Sequence, residues 1–182
     1  MANVAGIEQT ALREQANEFG SDKDAHWVFP QQDYPDLFAL GPKKAFGYFT
    51  TTWHYTLTDP GAQDFVQRFR KRWAGAPIEI PDNVSCNGYL CTRELLRAIE
   101  RAGTTRNHEV IKALEGHVIK DNFRKYPSTI REWDHLVGQM IFLGRAKKAS
   151  QMKDKYDLIE LIADVPPEQA SPPREASKCK MQ

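Results

Sequence analysis

Along the opening stretch, ANVAGIEQTALREQANEFG, the apolar residues Ile7, Ala11, Leu12, Ala16 and Phe19 fall near helical spacing, and Gly20 follows as a stop. The pattern predicts a helix whose apolar stripe faces a core. Ahead of it, Asn3, Val4 and Ala5 read as the tail of a buried strand, and Gly6 as the turn between the two. The chain continues as alternating short strands and helices. Ala25–Phe29 is an apolar run of strand length, Tyr34–Leu40 a short helix stopped by Gly41, and Gly47–Tyr55 a strand rich in Thr and aromatics. Asp59 and Pro60 signal the start of a helix that carries Phe65, Phe69 and Trp73 and ends at Gly75.

Residues 75–83 form a Pro-containing linker. A longer helix is predicted over Val84–Ala102, closed by Gly103, and another from an Asn107 cap to a stop at Gly116. Val137–Ala146 and Tyr156–Val165 read as strands joined by a polar turn. Residues 166–182 are rich in Pro, Ser and charge without periodicity, the composition of a disordered tail. Strand–helix alternation implies a parallel sheet covered by helices, in one partial α/β domain over residues 1–165.

The charge balance narrows the partners. Lys and Arg number 25 against 24 Asp and Glu, a formal net charge of +1 over 182 residues, which leaves no footprint for nucleic acid or an anionic membrane. The basic run Arg68–Arg72 lies within an amphipathic helix and reads as its solvated face. No apolar run is long enough to insert in a bilayer, and the opening residues lack the basic and apolar regions of a signal peptide, so the chain taken by itself reads as cytoplasmic. An odd cysteine count excludes a closed disulfide framework: Cys86 and Cys91 read as small buried hydrophobes and Cys179 as a free thiol in the tail.

Catalytic signatures are absent. No Gly-rich nucleotide loop, nucleophile elbow or HExxH motif occurs, and His26, His54, His108, His117 and His135 share no metal-ligand spacing, so neither cofactor nor metal is expected. The REWDH cluster, Arg131–His135, puts an Asp beside a His, but neighbours on a strand point to opposite faces, which favours a structural role. What remains is a set of loops. Ligands of open parallel sheets sit beyond the carboxyl ends of the strands. Three such ends are Gly6-Ile7-Glu8, Pro30-Gln31-Gln32 and Trp53-His54-Tyr55, which together offer aromatic surface, amides, a carboxylate and an imidazole to a small polar ligand. Trp53 and Tyr55 equally suit core positions, and that alternative stays open.

Five stretches resemble one family in order and spacing: ANVAGIEQTALREQANEFG, LGPKKAFGYFTTTWHY, DFVQRFRKRWAGAPIEIP, NGYLCTRELLRAIERAGTTRNHEVIKALEG and IREWDHLVGQMIFLGRAKK. They are similar to the C-terminal part of the type I periplasmic solute-binding proteins of branched-chain amino-acid ABC transporters, over about residues 2–165. The resemblance implies a two-lobed, non-enzymatic protein of flavodoxin-like parallel-sheet lobes that closes on a solute and delivers it to an ABC permease outside the cytoplasm. It implies that residues 2–80 are the later part of the second lobe, that the helices at 84–102 and 107–115 return to the first, and that the strand preceding Asn3 belongs to an N-terminal half not present here. Loops 6–8, 30–32 and 53–55 would face the cleft, and Tyr89 matches a ligand-contacting Tyr of the family. Gln31 and Gln32 stand where a carboxylate can hold an amino-acid ammonium, which weakens the assignment of an amino acid and favours another small solute, such as an amide, urea-like compound or small carboxylate. A ligand-sensing regulatory module of the same fold, or a small cytoplasmic enzyme, are the alternatives. The helix at 84–102 carries an apolar face with no sheet to cover it, which calls for a companion N-terminal half or self-association.

Overall fold

The computed structural model describes residues 1–177; the Cys179 thiol and the last residues of the predicted tail lie outside them. In chain order the elements are α1 (Gly6–Glu18), α2 (Ser21–Asp24), β1 (Val28–Phe29), α3 (Tyr34–Leu40), β2 (Tyr48–Thr51), α4 (Ala62–Arg72), α5 (Asn83–Ala102) and α6 (Asn107–Leu114). There follow β3 (Val118–Ile119), β4 (Ser128–Ile130), β5 (Val137–Gly138), β6 (Ile141–Ala146), β7 (Ile159–Val165) and α7 (Pro167–Ala170). The strands form two sheets, one ordered β1-β2-β6-β7 and one ordered β3-β4-β5.

The parallel sheet predicted from the strand–helix alternation is present only as the pair β1–β2, Val28 opposite Tyr48 and Phe29 opposite Phe49. β6 and β7 pair antiparallel, because a connection through residues 147–158 turns the chain back on itself before β7. Asn3–Ala5 forms no strand, yet Ala2 N donates to Val28 O at 2.9 Å, so the opening residues run beside the β1 edge. The strand predicted over Val137–Ala146 is divided between the two sheets. Gln139 and the buried Met140 carry the chain from β5 in one to β6 in the other.

The core of the larger sheet is aromatic. Phe29, Phe49, Trp53, Phe65 and Phe123 are buried in one cluster with Leu37, Ile80 and Leu158. α4 contributes Ala62, Phe65 and Val66 from one face and ends in Arg70, Lys71 and Arg72, which complement the negative end of the helix dipole. α5 starts at a reciprocal cap: Ser85 N donates to Asp82 Oδ1 at 2.8 Å while Asp82 N donates to Ser85 Oγ at 2.9 Å. α4 begins differently from its Asp-Pro signal. The N-cap is Gly61 at φ +78°, and Asp59 contributes its backbone oxygen to Ala62 N rather than a side-chain cap. α6 likewise starts at Asn107 instead of being capped by it.

α1 keeps only part of the predicted stripe: Leu12 and Ala16 pack inward, but its ends do not. Ile7 and Phe19 are each 84% exposed, whereas Gln9 and Arg13 are 2% and 1% exposed and face inward with Ala16. The reason is chemical: the guanidinium of Arg13 lies 3.8 Å over the Phe29 ring, and its partners are amides within the interior. Of the two cysteines read as buried, Cys86 is, and burial pushes its thiol up to about 12. Cys91 is exposed, because five residues along a helix turn it to another face. The tail contains α7 and a helical turn at 174–176, and Arg131 Nη1 donates to Pro172 O at 2.8 Å.

Two glycines separate strain from helix propensity. A Cβ on Gly61 would sit 2.9 Å from Phe123 Cδ1 at a left-handed φ, so Gly61→Ala should lower unfolding stability by about 1–3 kcal/mol in urea denaturation. Gly88 is helical with open space around its Cβ position, so Gly88→Ala should raise it by roughly 0.5–1 kcal/mol in the same measurement.

Candidate functional site

The β1–β2 parallel pair directs the loops that follow both strands to one end of the sheet, and α1 starts at the same end. Gln9 joins the segment leading into α1 to the loop after β1: its Nε2 donates to Val4 O at 2.8 Å and to Gln31 O at 3.0 Å. The loop after β1 is tied to β2, since Gln32 N donates to Thr50 O at 3.2 Å and Thr50 Oγ1 donates to Pro30 O. The start of α5 closes the group: Asn83 Nδ2 donates to Asp33 Oδ1 at 3.3 Å, an oxygen that also accepts from Gln31 Nε2 at 3.1 Å. No side chain caps the N-terminus of α1, so the first-turn amides beside Gly6, Ile7 and Glu8 carry no side-chain acceptor.

The sequence-predicted residues divide into two layers. Ile7, Glu8, Gln31 and Tyr89 are exposed and Gly6 partly so. Gln32, Trp53, His54 and Tyr55 are buried. Trp53 packs edge-on against Phe65 at 5.7 Å and its Nε1 donates to Phe123 O at 3.2 Å, so the indole is a core group here. The amide of Gln32 is fully engaged, its oxygen accepting from Arg13 Nη1 and its nitrogen donating to Asp33 O at 2.7 Å. Tyr89 belongs to the same aromatic seam, 5.1 Å from Phe65 and 6.0 Å from Phe123, with Arg68 and Arg93 over its ring.

Two arginines that periodicity passed over hold this region. Arg13 is buried with no carboxylate in ion-pair reach among the described residues, and burial lowers its pKa to about 10. Arg124 is buried too: it donates from Nε to Thr52 O at 2.8 Å, from Nη1 to Asn122 O at 2.9 Å and from Nη2 to Asn87 Oδ1 at 2.8 Å. Asn87 Nδ2 returns to Thr52 Oγ1 at 2.9 Å. The available signal for Arg13 was its i, i+4 spacing from Gln9 on α1. For Arg124 there was none, since Thr52 and Asn87, the partners that place it, are distant in sequence.

REWDH is a turn, not a strand. Arg131 engages both carboxylate oxygens of Asp134, its guanidinium lies 3.9 Å over the Trp133 ring, and His135 takes φ +55° with its Nε2 2.9 Å from Glu115 Oε1. A separate cavity of about 390 Å³ lies between α5, α6 and the β3–β5 sheet, walled by Leu90, Leu95, Ile111, Leu114, Ile130 and Val137. Glu94 lines it; its Oε1 accepts from Arg93 Nε and Arg97 Nη1, each at 3.0 Å, and its Oε2 lies 3.3 Å from His117 Nε2. Leu96, on the same helix, is 61% exposed. Among the described residues no cluster of His, Cys, Asp or Glu could hold a metal ion, and no helix is long and apolar enough to cross a membrane.

An α/β unit with loops gathered at one end of a parallel strand pair is a ligand-binding framework. The family profile described as periplasmic binding protein matches residues 1–151, and the chain belongs to that family of solute-binding proteins. Solved structures agree in fold. A periplasmic binding protein from Burkholderia mallei is 24% identical, with a TM-score of 0.82 over 97% of this chain and 45% of its own. A branched-chain amino acid ABC transporter periplasmic ligand-binding protein from Burkholderia xenovorans is 23% identical, with a TM-score of 0.81 over 99% of this chain and 47% of its own. A solute-binding protein of an ABC transporter from Rhodopseudomonas palustris, solved with 3,4-dihydroxybenzoic acid, is 17% identical, with a TM-score of 0.70 over 90% of this chain and 43% of its own. This chain therefore spans less than half the length of the solved structures it matches. No curated protein matches it.

His54 provides a pH test of the buried layer. Its Nδ1 lies 2.7 Å from Thr56 Oγ1, its Nε2 has no hydrogen-bond partner among the described residues, and burial lowers its pKa from 6.5 to about 4. The unfolded chain gains a proton there as pH falls through 6.5, whereas the folded chain resists until about 4. Stability attributable to His54 is therefore intact above 6.5 and is lost as pH falls toward 4, by at most about 3 kcal/mol. Urea denaturation between pH 7 and pH 5 should show this slope in the wild type, and His54→Gln should flatten it.

Proposed function

We propose that this chain forms one wall of the solute cleft of an ABC importer's binding protein, working outside the cytoplasm with a membrane permease. Gly6, Ile7, Glu8, Gln31 and Tyr89 are the solute-facing residues, and Gln32, Trp53, His54 and Tyr55 form the layer that supports them. The observation that carries this reading is the convergence of the α1 start, the loop after β1 and the start of α5, joined through Gln9 and Asp33. The polar groups at that surface are backbone amides, the Gln31 amide and the Glu8 carboxylate. They suit a small polar solute: an amide, a urea-like compound, an amino acid or a small carboxylate. The opposite wall, and the cover of the α5–α6 cavity, would come from the part of the family fold that this stretch does not span.

With one wall only, affinity falls to the millimolar range, about −4 kcal/mol. Titration of the isotope-labelled chain with L-leucine, acetamide, urea and 3,4-dihydroxybenzoate, followed by NMR, should give saturable shifts at residues 6–8, 31–33 and 83–89 for at least one of them. Gln31→Ala should weaken that binding up to about tenfold, the worth of one hydrogen bond. Saturable shifts confined to the α5–α6 cavity, or none with any probe, would overturn the assignment.

A further inference from the structure

We propose that Arg13 is the positioning residue of this site, acting through Gln9 and Gln32 to fix the two loops that face solute. The proposal rests on the reading of the site given above. Arg13 reaches no solute-facing surface, being 1% exposed, but its Nη1 donates to Gln9 Oε1 at 3.1 Å and to Gln32 Oε1. An amide whose oxygen is held by a donor must turn its nitrogen toward an acceptor. Gln9 Nε2 is turned onto Val4 O and Gln31 O, and Gln32 Nε2 onto Asp33 O. One guanidinium thus sets the direction of two amides, and those amides hold three backbone carbonyls. The carbonyls belong to the segment that leads into Gly6, Ile7 and Glu8 and to the loop that carries Gln31.

Packing alone does not call for this residue. Among the described residues Arg13 Nε and Nη2 have no hydrogen-bond partner and no carboxylate lies within ion-pair distance of the guanidinium; Asp36 acts on it only from beyond that distance, and the cost of burial outweighs its attraction. The Phe29 ring beneath it supplies only a cation–π contact. A buried cation so poorly compensated is unfavourable for stability, and an apolar side chain of similar length fills the same seam. What an apolar side chain cannot do is choose which end of each amide faces which loop.

The test separates position from stability. Hydrogen exchange is measured on the wild-type chain, on Arg13→Met, on Arg13→Lys and on the Gln9→Leu/Gln32→Leu double variant, each with a thermal melt. In Arg13→Met, amides in residues 3–9 and 31–34 should exchange at least about tenfold faster, while α4 and α5 keep their protection and the melting temperature holds or rises. Arg13→Lys, which keeps the charge but has no planar fork, should fall between. The double variant, which leaves Arg13 in place, should loosen the same two segments. Unchanged exchange in both segments, or a uniform loss of protection with a lowered melting temperature, would overturn the proposal. If Arg13→Met does not fold, the double variant decides by the same criteria. None of these readouts needs a solute, so absence of binding by L-leucine or 3,4-dihydroxybenzoate would overturn the site assignment without touching this result.

Discussion

The two sheets share no strand; beyond the chain crossing at Gln139 and Met140, the backbone turn at Phe123 and Arg124 packs one against the other. Phe123 adopts φ +61°, a left-handed conformation unfavourable for an aromatic residue, and three contacts hold it there. Its ring stacks 5.2 Å from Phe65 of α4, its carbonyl accepts from Trp53 Nε1, and Gly61 leaves room for its ring edge. Arg124 then ties the exit of β2, the start of α5 and its own turn together with every nitrogen of its guanidinium. This junction adds to the Asn83–Asp33 and Asn87–Thr52 hydrogen bonds and the Tyr89–Phe65 ring contact that hold the start of α5 in place.

Much of the helix layout was legible, because helix signals are local. Tyr34–Leu40 is as read, and the long helix starts one residue ahead of Val84 with Gly103 as its left-handed cap. The failures came where tertiary contacts override local pattern. α1 carries an apolar stripe, but Arg13 and Gln9 find partners across the interior, so they turn inward beside Leu12 and Ala16 while Ile7 and Phe19 are exposed. β3 and β4 are two and three residues long, too short for alternation to register. The division of Val137–Ala146 between two sheets leaves no mark in hydropathy, since both halves are apolar and only Met140 lies deep at the crossing.

The site was legible as loops and not as side chains. Loop positions can be named from sequence, and two of the three named segments, at 6–8 and 30–32, are tied together through Gln9. Which side chains face outward depends on what lies below, and aromatic residues at a strand exit satisfy both demands equally well. Here Trp53 resolves toward the interior because Phe123 supplies an acceptor for its Nε1 inside the core. Gln32 resolves inward for the same kind of reason, with Arg13 and Asp33 taking both ends of its amide. Gln31, one residue earlier, alternates to the surface and carries the exposed amide of the loop.

α5 therefore serves two masters of opposite character. Its first turns present Asn83, Asn87 and Tyr89 to the junction and the loops, through hydrogen bonds and ring contacts that are all made. Its later turns present Leu90 and Leu95 to a cavity that α6 and the β3–β5 sheet only partly close, while Leu96 stands in water. Covering a leucine of that exposure is worth about 1–2 kcal/mol. Burial of the Glu94 carboxylate at the same wall runs the other way unless Arg93, Arg97 and His117 stay around it. Whatever covers this face must be apolar where it meets the leucines and must leave that charge cluster intact. A surface that meets both demands stabilises α5 along its whole length, and with it the residues at its start that close the site.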